Sequence, residues 1–459
     1  MPELGIIVSS KPTAPKHLRE NQQMALISTN ASTTYSGPDL EGTNVRAMSI
    51  ATTLFFMWGF LTSLNDILIP HLKGIFDLNY TGAILVQFAF FASYAIFALP
   101  GGKIVELLGY KRTMIVGLLT MTAGALLFIP ASKVASFTFF LGALIVLAAG
   151  ITVLQVAANP YVANLGPQRT ASSRLNLAQA FNSFGTFLAP FFGAWLILPH
   201  IAKVVDSAAL TGAALQSSRM QQASSVQIPY LGIALALAVL AIALALVKLP
   251  TMDFTSDLRI GEYAIPPTDR LRNHPQLFLG ALGIFVYVGA EVSIGSFIIN
   301  YLHLPYIGDM TLARAGFWLS FYWGGAMVGR FLGAAILRRF STGVVLGVAA
   351  LMATLLVITS MLTFGHVAVV TIIAVGLFNS IMFPSIFTLG LADLGPLTGR
   401  GSSLMVACIV GGALIPLAQG KIADSSIGLH HAFILPVICY LYIALFGFTR
   451  PRLPATTPA

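Results

Sequence analysis

Charge is what this sequence has least of: Asp, Glu, Lys and Arg make up 9% of its 459 residues. Soluble domains usually carry about 25%, so this chain cannot cover two or three water-facing domains of the same total length. Cysteine is almost absent as well. Cys408 and Cys439 both lie inside apolar stretches, where buried thiols are expected and a disulfide framework is not. No nucleophile–base pair, metal-ligand cluster or glycine-rich nucleotide loop stands out, which argues against an enzyme and implies neither cofactor nor metal. The net charge of +9 does not point to nucleic acid, because the basic residues are scattered singly between apolar runs with no basic stripe. The first 46 residues are polar and rich in Ser, Thr, Asn and Pro. They lack the basic start, short apolar core and small-residue cleavage site of a signal peptide, and read as a disordered extension, 1–46.

What fills the chain instead is apolar: 56% of residues, with a mean hydropathy of +0.84. A bilayer core of about 30 Å needs about 20 helical residues. Twelve stretches meet that length, near 47–71, 80–100, 112–131, 137–163, 174–199, 228–248, 276–302, 312–337, 342–363, 366–391, 402–420 and 430–448. A polar stretch at 200–227 is expected to be a loop. A second, charged stretch divides the chain into an N-terminal bundle, 47–248, a cytoplasmic linker, 249–275, a C-terminal bundle, 276–448, and a tail, 449–459. Threading these spans with the N-terminus cytoplasmic leaves Lys73, Lys133, Lys203, Arg219, Arg314 and Lys421 on the opposite side and the other nineteen Lys and Arg within. That is the bias of the positive-inside rule, with both termini cytoplasmic and the chain in the inner membrane.

The two blocks resemble each other. Asn164-Leu165-Gly166-Pro167 and Ser172-Ser173 reappear as Asp393-Leu394-Gly395-Pro396 and Ser402-Ser403, 229 and 230 residues later. Gly185 with Pro190 is matched by Gly411 with Pro416. The pattern implies duplicated six-helix halves related by an axis along the membrane normal, with a site between them. Pro100, Pro160, Pro190, Pro384 and Pro416 mark expected kinks.

Ionisable groups at membrane depth cost roughly 2.5–3.5 kcal/mol on insertion scales. Asp66 in the first span and Glu291 in the seventh are such groups, on equivalent helices of the two halves. Each could instead be a packing or interface carboxylate. Placed in a shared cavity, they suit protonation from one side and release to the other. Gln87, Gln155, Asn159, Gln179, Asn182, Asn300 and Asn379 add amides, which donate and accept at once; singly each could be interhelical glue, and together they suit a neutral ligand bearing hydroxyls. Trp58, Phe90, Tyr94, Tyr287, Phe321 and Tyr322 offer faces for a sugar ring. No Lys or Arg sits near the middle of a span, with Arg330 the nearest exception, which favours a neutral substrate.

The turn Gly102-Lys103-Ile104-Val105-Glu106-Leu107-Leu108-Gly109-Tyr110-Lys111-Arg112 resembles the signature loop of the major facilitator superfamily. In it Glu106 can pair with a basic group at a helix end and latch the halves in one access state. Asn65-Asp66-Ile67-Leu68-Ile69-Pro70, Ala157-Ala158-Asn159-Pro160, the run from Arg174 to Gly185 and Phe383-Pro384-Ser385-Ile386-Phe387 resemble the bacterial fucose:proton symporter family. The resemblance implies an all-α, twelve-helix fold and a proton-coupled sugar symporter. It implies Asp66 as a proton-binding acid, and Trp58, Asn65, Gln179 and Asn182 at the sugar site. Gln155 stands where the fucose carriers have a glutamate, and Glu291 where they have an amide. That exchange is similar to the glucose/galactose and N-acetylglucosamine branch. The expected function is therefore cation-coupled uptake of a neutral hexose such as glucose or galactose. N-acetylglucosamine uptake, a non-transporting sugar sensor and a carrier of another solute are the alternatives, and sodium is the alternative to the proton.

Overall fold

A computed structural model describes residues 43–76, 80–192, 212–224, 227–249 and 270–449, with the side chains of 62, 64–76, 80–87, 190–192, 215, 222, 312 and 313 left undescribed. Lipid offers no hydrogen bonds to backbone groups, so a chain this apolar must satisfy them within helices. All regular structure among the described residues is helical.

In chain order, α1 is Val45–Phe76; α2 and α3 are the two arms of Tyr80–Val134; α4 is Phe137–Ala163; α5 is Ala171–Phe192; and α6 is Gln227–Leu246. The second half begins with α7, Pro275–His303, then α8, Leu312–Ile336, and α9, Thr342–Leu362. Next come α10, Gly365–Asn379 continued by Met382–Gly390; α11, Thr398–Ala407 continued by Gly411–Ala423; and α12, Gly428–Ala432 continued by Ile434–Thr449. The arms of Tyr80–Val134 part at Gly109, whose φ of 75° is open to glycine at little steric cost. Eight helical stretches among the described residues are long and apolar enough to cross a bilayer by length and composition. The longest, Phe88–Val134, holds both α2 and α3.

The same packing plan occurs twice. In the first half α1 packs on α5, and the Tyr80–Val134 hairpin on α4 and α6; in the second α7 packs on α11, α8 on α10 and α9 on α12. The α1–α5 contact is so close that a Cβ at Gly185 would strike the Phe56 carbonyl, and one at Gly59 the Asn182 carbonyl. Its counterpart repeats the device: a Cβ at Gly411 would strike the Phe285 carbonyl, and one at Gly289 the Ile415 side chain. Small residues let helix backbones approach where lipid supplies no hydrophobic drive. The sequence repeat is therefore a repeat of helix seams.

One expectation needs correction. The polar stretch expected as a loop contains a helix, Gly212–Ser224, because its Ala, Leu, Met, Arg and Gln are good helix formers. The kinks expected at Pro384 and Pro416 coincide with interruptions in the second half, and a further one occurs near Pro436. α10 breaks at Ser380–Ile381 and α12 at Phe433, where Pro384 and Pro436 lack an N–H and crowd the carbonyl four residues earlier. A 3-10 turn, Cys408–Val410, interrupts α11 ahead of Pro416. Pro100 and Pro160 sit inside uninterrupted helices.

Candidate functional site

The halves meet at the face of the bundle that carries Lys103, Lys111, Arg112, Arg338, Arg339 and Arg400, called here the basic face. Each half inserts the start of its fifth helix between helices of the other. Ser172 at the start of α5 shares a 2.5 Å hydrogen bond with Thr388 of α10, and accepts another from Thr342 at 3.0 Å. Its repeat partner, Ser402 at the start of α11, donates to the Val156 carbonyl of α4 at 2.8 Å. Ser173 donates to the Ala334 carbonyl of α8 at 2.6 Å. Ser403 meets α2 so closely that a Cβ at Gly102 would sit 2.6 Å from it. The four serines therefore exchange partners between the halves, each touching the second or fourth helix of the opposite repeat.

Charge reinforces this seam on one side alone. Arg400 donates from its Nε to Glu106, and Lys103 lies 3.3 Å from the same carboxylate. Burial pushes the Glu106 carboxyl up, but hydrogen bonds from Arg400 and Lys103 and their charges outweigh it and hold the group below its ordinary value. Lys111 donates to the Ala245 carbonyl at 2.8 Å and ties the turn to α6, while Arg112 is exposed. The repeat position of Glu106 in the α8–α9 turn is held by Leu337, which is buried.

Beside and behind the seam lies a set of polar side chains that runs from Glu291, deep in α7, to Asn159, four residues from the end of α4. Glu291 stands sixteen residues into α7 from Pro275, about 24 Å along the helix. Its Oε1 is buried with no hydrogen-bond partner. The Tyr287 hydroxyl donates to the Asn379 carbonyl at 2.9 Å and also lies within hydrogen-bonding reach of the Glu291 side chain. Tyr322 donates to the Glu291 carbonyl at 3.3 Å and accepts from the Asn379 amide at 2.8 Å. The Asn379 side-chain oxygen has no partner. From the first half, Gln155 donates to the Tyr94 hydroxyl at 2.8 Å. Asn159 is fully buried, with both amide atoms unpartnered. A buried polar atom left unmade costs about 1–3 kcal/mol, so Asn159, Asn379 and Glu291 carry unused capacity for a hydroxyl-bearing ligand. Gln179 and Trp58 are buried, the latter edge-on to Phe55 at 5.4 Å. Asn182 donates to the Phe55 carbonyl at 2.9 Å, so its NH2 is engaged in holding α5 to α1.

Three candidates stand apart. Asn300 is exposed near the far end of α7, and Phe321 is on an exposed face with Phe317 and Trp318. Phe90 packs with Phe91 and Tyr94. Asn65, Asp66 and Gln87 lie outside the described side chains. An apolar crevice opens elsewhere, lined by residues such as Ile50, Phe55, Met114, Tyr161 and Leu249; it holds no polar side chain beyond the Tyr161 hydroxyl and does not suit a sugar.

Sequence reasoning missed one interior cation and named a second, Arg330, only as an exception without a partner. Arg174, counted as a loop residue, is buried and donates to the carbonyls of Val162, Pro167, Ala163 and Gly166, which pins the α4–α5 turn. Arg330 stands six residues inside the end of α8, and its guanidinium reaches Ser183 of α5 and the Ser380 carbonyl. Its distance from the helix end, about 9 Å, was the available signal. The swapped serines were visible as a repeat, but nothing in their spacing announced that they exchange partners.

Comparisons with known proteins agree with this architecture. The family model described as Major Facilitator Superfamily matches residues 50–416. The glucose/galactose transporter of Brucella abortus is 49% identical over 405 residues, covering 87% of this chain and 93% of its own. The L-fucose-proton symporter of Escherichia coli is 35% identical over 410 residues, covering 88% and 93%. A crystal structure of a Major Facilitator Superfamily transporter in the outward conformation superposes with a TM-score of 0.80 at 34% identity, covering 88% of this chain and 98% of that one.

Proposed function

Because the chain belongs to the Major Facilitator Superfamily, we propose that it moves a neutral hexose, glucose or galactose, across the membrane together with a proton by alternating access. One observation carries the reading: Glu291, Asn159 and Asn379 hold buried polar atoms without a hydrogen-bond partner, inside the bundle beside a seam that closes one of its faces. A carrier needs a closed gate on one side and unspent hydrogen-bonding groups behind it. The substrates of the relatives at 49% and 35% identity support a sugar and a proton as the pair.

In this reading the basic face is cytoplasmic, as the distribution of Lys and Arg favours, and the bilayer is the inner membrane with both termini inside. The structure then corresponds to an outward-facing state. The bodies 47–248 and 276–448 rock about the seam, with 249–275 linking them and 1–46 a cytoplasmic extension. Gln155, Asn159, Gln179, Asn182 and Asn379 take the sugar hydroxyls, with Asn65, Gln87 and Asn300 as further candidates. Trp58 offers its ring to the apolar face of the sugar. Asp66 and Glu291 take the coupling proton, as ionisable residues on the matching helices α1 and α7, where a carboxyl at membrane depth needs a functional reason.

The test is uptake of labelled galactose by purified protein in proteoliposomes under an inward proton gradient. The expected result is uphill accumulation that an uncoupler collapses. Failure to accumulate glucose, galactose or N-acetylglucosamine under either a proton or a sodium gradient overturns the reading.

A further inference from the structure

Arg330 bridges the halves from inside α8, about 9 Å from the end of that helix. Its guanidinium has five donors and no acceptor, and it divides them between Ser183 of the first half and the Ser380 carbonyl of the second, at 3.4 Å for the latter. Its backbone carbonyl accepts from Asn176 of α5 at 2.6 Å. Arg330 is therefore bound to α5 twice, once through its side chain and once through its backbone.

No ion pair joins Arg330 to Glu291; adjacent carbonyls of α10 link them, Arg330 donating to Ser380 and Tyr287, one turn before Glu291, to Asn379. The groups facing Glu291 among the described residues are Tyr287 on its own helix, Tyr322 and Arg330 from α8, and Tyr440 from α12. Tyr287 spends its hydrogen on the Asn379 carbonyl, so its oxygen is left to accept from a protonated Glu291. This arrangement suits a neutral acid and a guanidinium held elsewhere.

Opening the basic face separates α5 from α8. Ser183 then leaves the guanidinium, which cannot remain unpartnered in a low-dielectric interior. We propose that Arg330 is the carrier's moving countercharge: Ser183 of the opposite half holds it while the basic face is closed, and it passes to Glu291 when the halves part. Its arrival displaces the Glu291 proton toward the side that has just opened. By reciprocity, loss of that proton draws Arg330 from Ser183 and loosens the seam. The inference rests on the reading of Glu291 as a coupling acid, and makes Arg330 a positioning residue acting through it.

The test measures access directly, without sugar. Spin labels replace the exposed residues Leu107 and Arg338, which flank the basic face on opposite halves, in protein lacking Cys408 and Cys439. The distance between them reports the seam. Raising the pH is expected to shift the labelled protein toward the longer distance. Glu291→Gln should keep one open-to-closed ratio at every pH. Ser183→Ala should raise the open-to-closed ratio about tenfold, the worth of one hydrogen bond to a charged group, and Ser183→Thr should restore the parent ratio. The Glu106–Arg400 pair works with the opposite sign, loosening as pH falls, so the two contributions separate. A pH-dependent opening that survives Glu291→Gln, or a ratio that Ser183→Ala leaves unchanged, overturns the proposal. Hexose accumulation is scored separately in proteoliposomes, so a failed substrate assignment leaves this distance result readable.

Discussion

The two halves of this molecule share their packing and differ in their charges. Gly59 and Gly185 join α1 to α5 as Gly289 and Gly411 join α7 to α11, and Ser172 mirrors Ser402 across the seam. The acid of the α2–α3 turn, Glu106, belongs to the first half, while Arg330, Arg400 and Glu291 belong to the second. Duplication thus supplies two bodies with the same helix packing, and a handful of charges distinguishes them. The close helix seams are kept in both copies. The charges that bridge the halves are not repeated.

The comparison breaks most readily at the glycine seams. Gly185→Val and Gly411→Val each drive a side chain into a backbone carbonyl, an obstacle that no rotamer change relieves. Each should destabilise the fold by more than the ~1–3 kcal/mol usual for overpacking. Both should show a collapsed monodisperse peak in size-exclusion chromatography and a lowered melting temperature. Should one half tolerate the change at wild-type stability, the seams are not equivalent.

The acids sharpen it next. Asp66 in α1 and Glu291 in α7 occupy matching helices, and equal coupling roles predict equal phenotypes. Asp66→Asn is expected to abolish uphill hexose accumulation while leaving sugar exchange measurable in proteoliposomes, and Glu291→Gln to do the same. Unchanged accumulation in Asp66→Asn removes it from coupling. Lost exchange in Glu291→Gln would instead assign that carboxyl to the sugar.

Much of the fold was legible because lipid imposes a length and a composition on every span. The twelve helices, the duplication and the Glu106 turn could all be read from runs, spacings and one motif. The helix at Gly212–Ser224 escaped because exposed polar helices carry no apolar stripe. The site was legible as a set of residue types at depth, and less so as a network. Asn159 and Asn182 look alike in sequence, yet one amide is unpartnered and the other holds α1 to α5, a difference that only the neighbouring helix decides. Arg330 stood out in the sequence by its depth in α8, but its partner was hidden for the same reason: Ser183 lies 147 residues away.

The smallest expected effect concerns the one-sided ion pair. Glu106 is held below its ordinary value while Arg400 and Lys103 are in place, and returns toward that value when the seam opens. A group depressed in the closed state stabilises that state above its open-state value, and the contribution fades as pH falls through the depressed one. Acidification alone should therefore loosen the basic face, opposite to the effect assigned to Glu291. The pair is partly exposed, so solvent screening limits it to about 1 kcal/mol or less. Glu106→Gln should shift the spin-label distance distribution several-fold at most toward the open form, remove its acid-induced component, and leave fold and sugar binding unchanged. Adding an acid to the other half as Leu337→Glu, opposite no arginine equivalent to Arg400, should fail to restore closure. If it succeeds, the asymmetry of charge is incidental and the serine exchange alone sets the resting state.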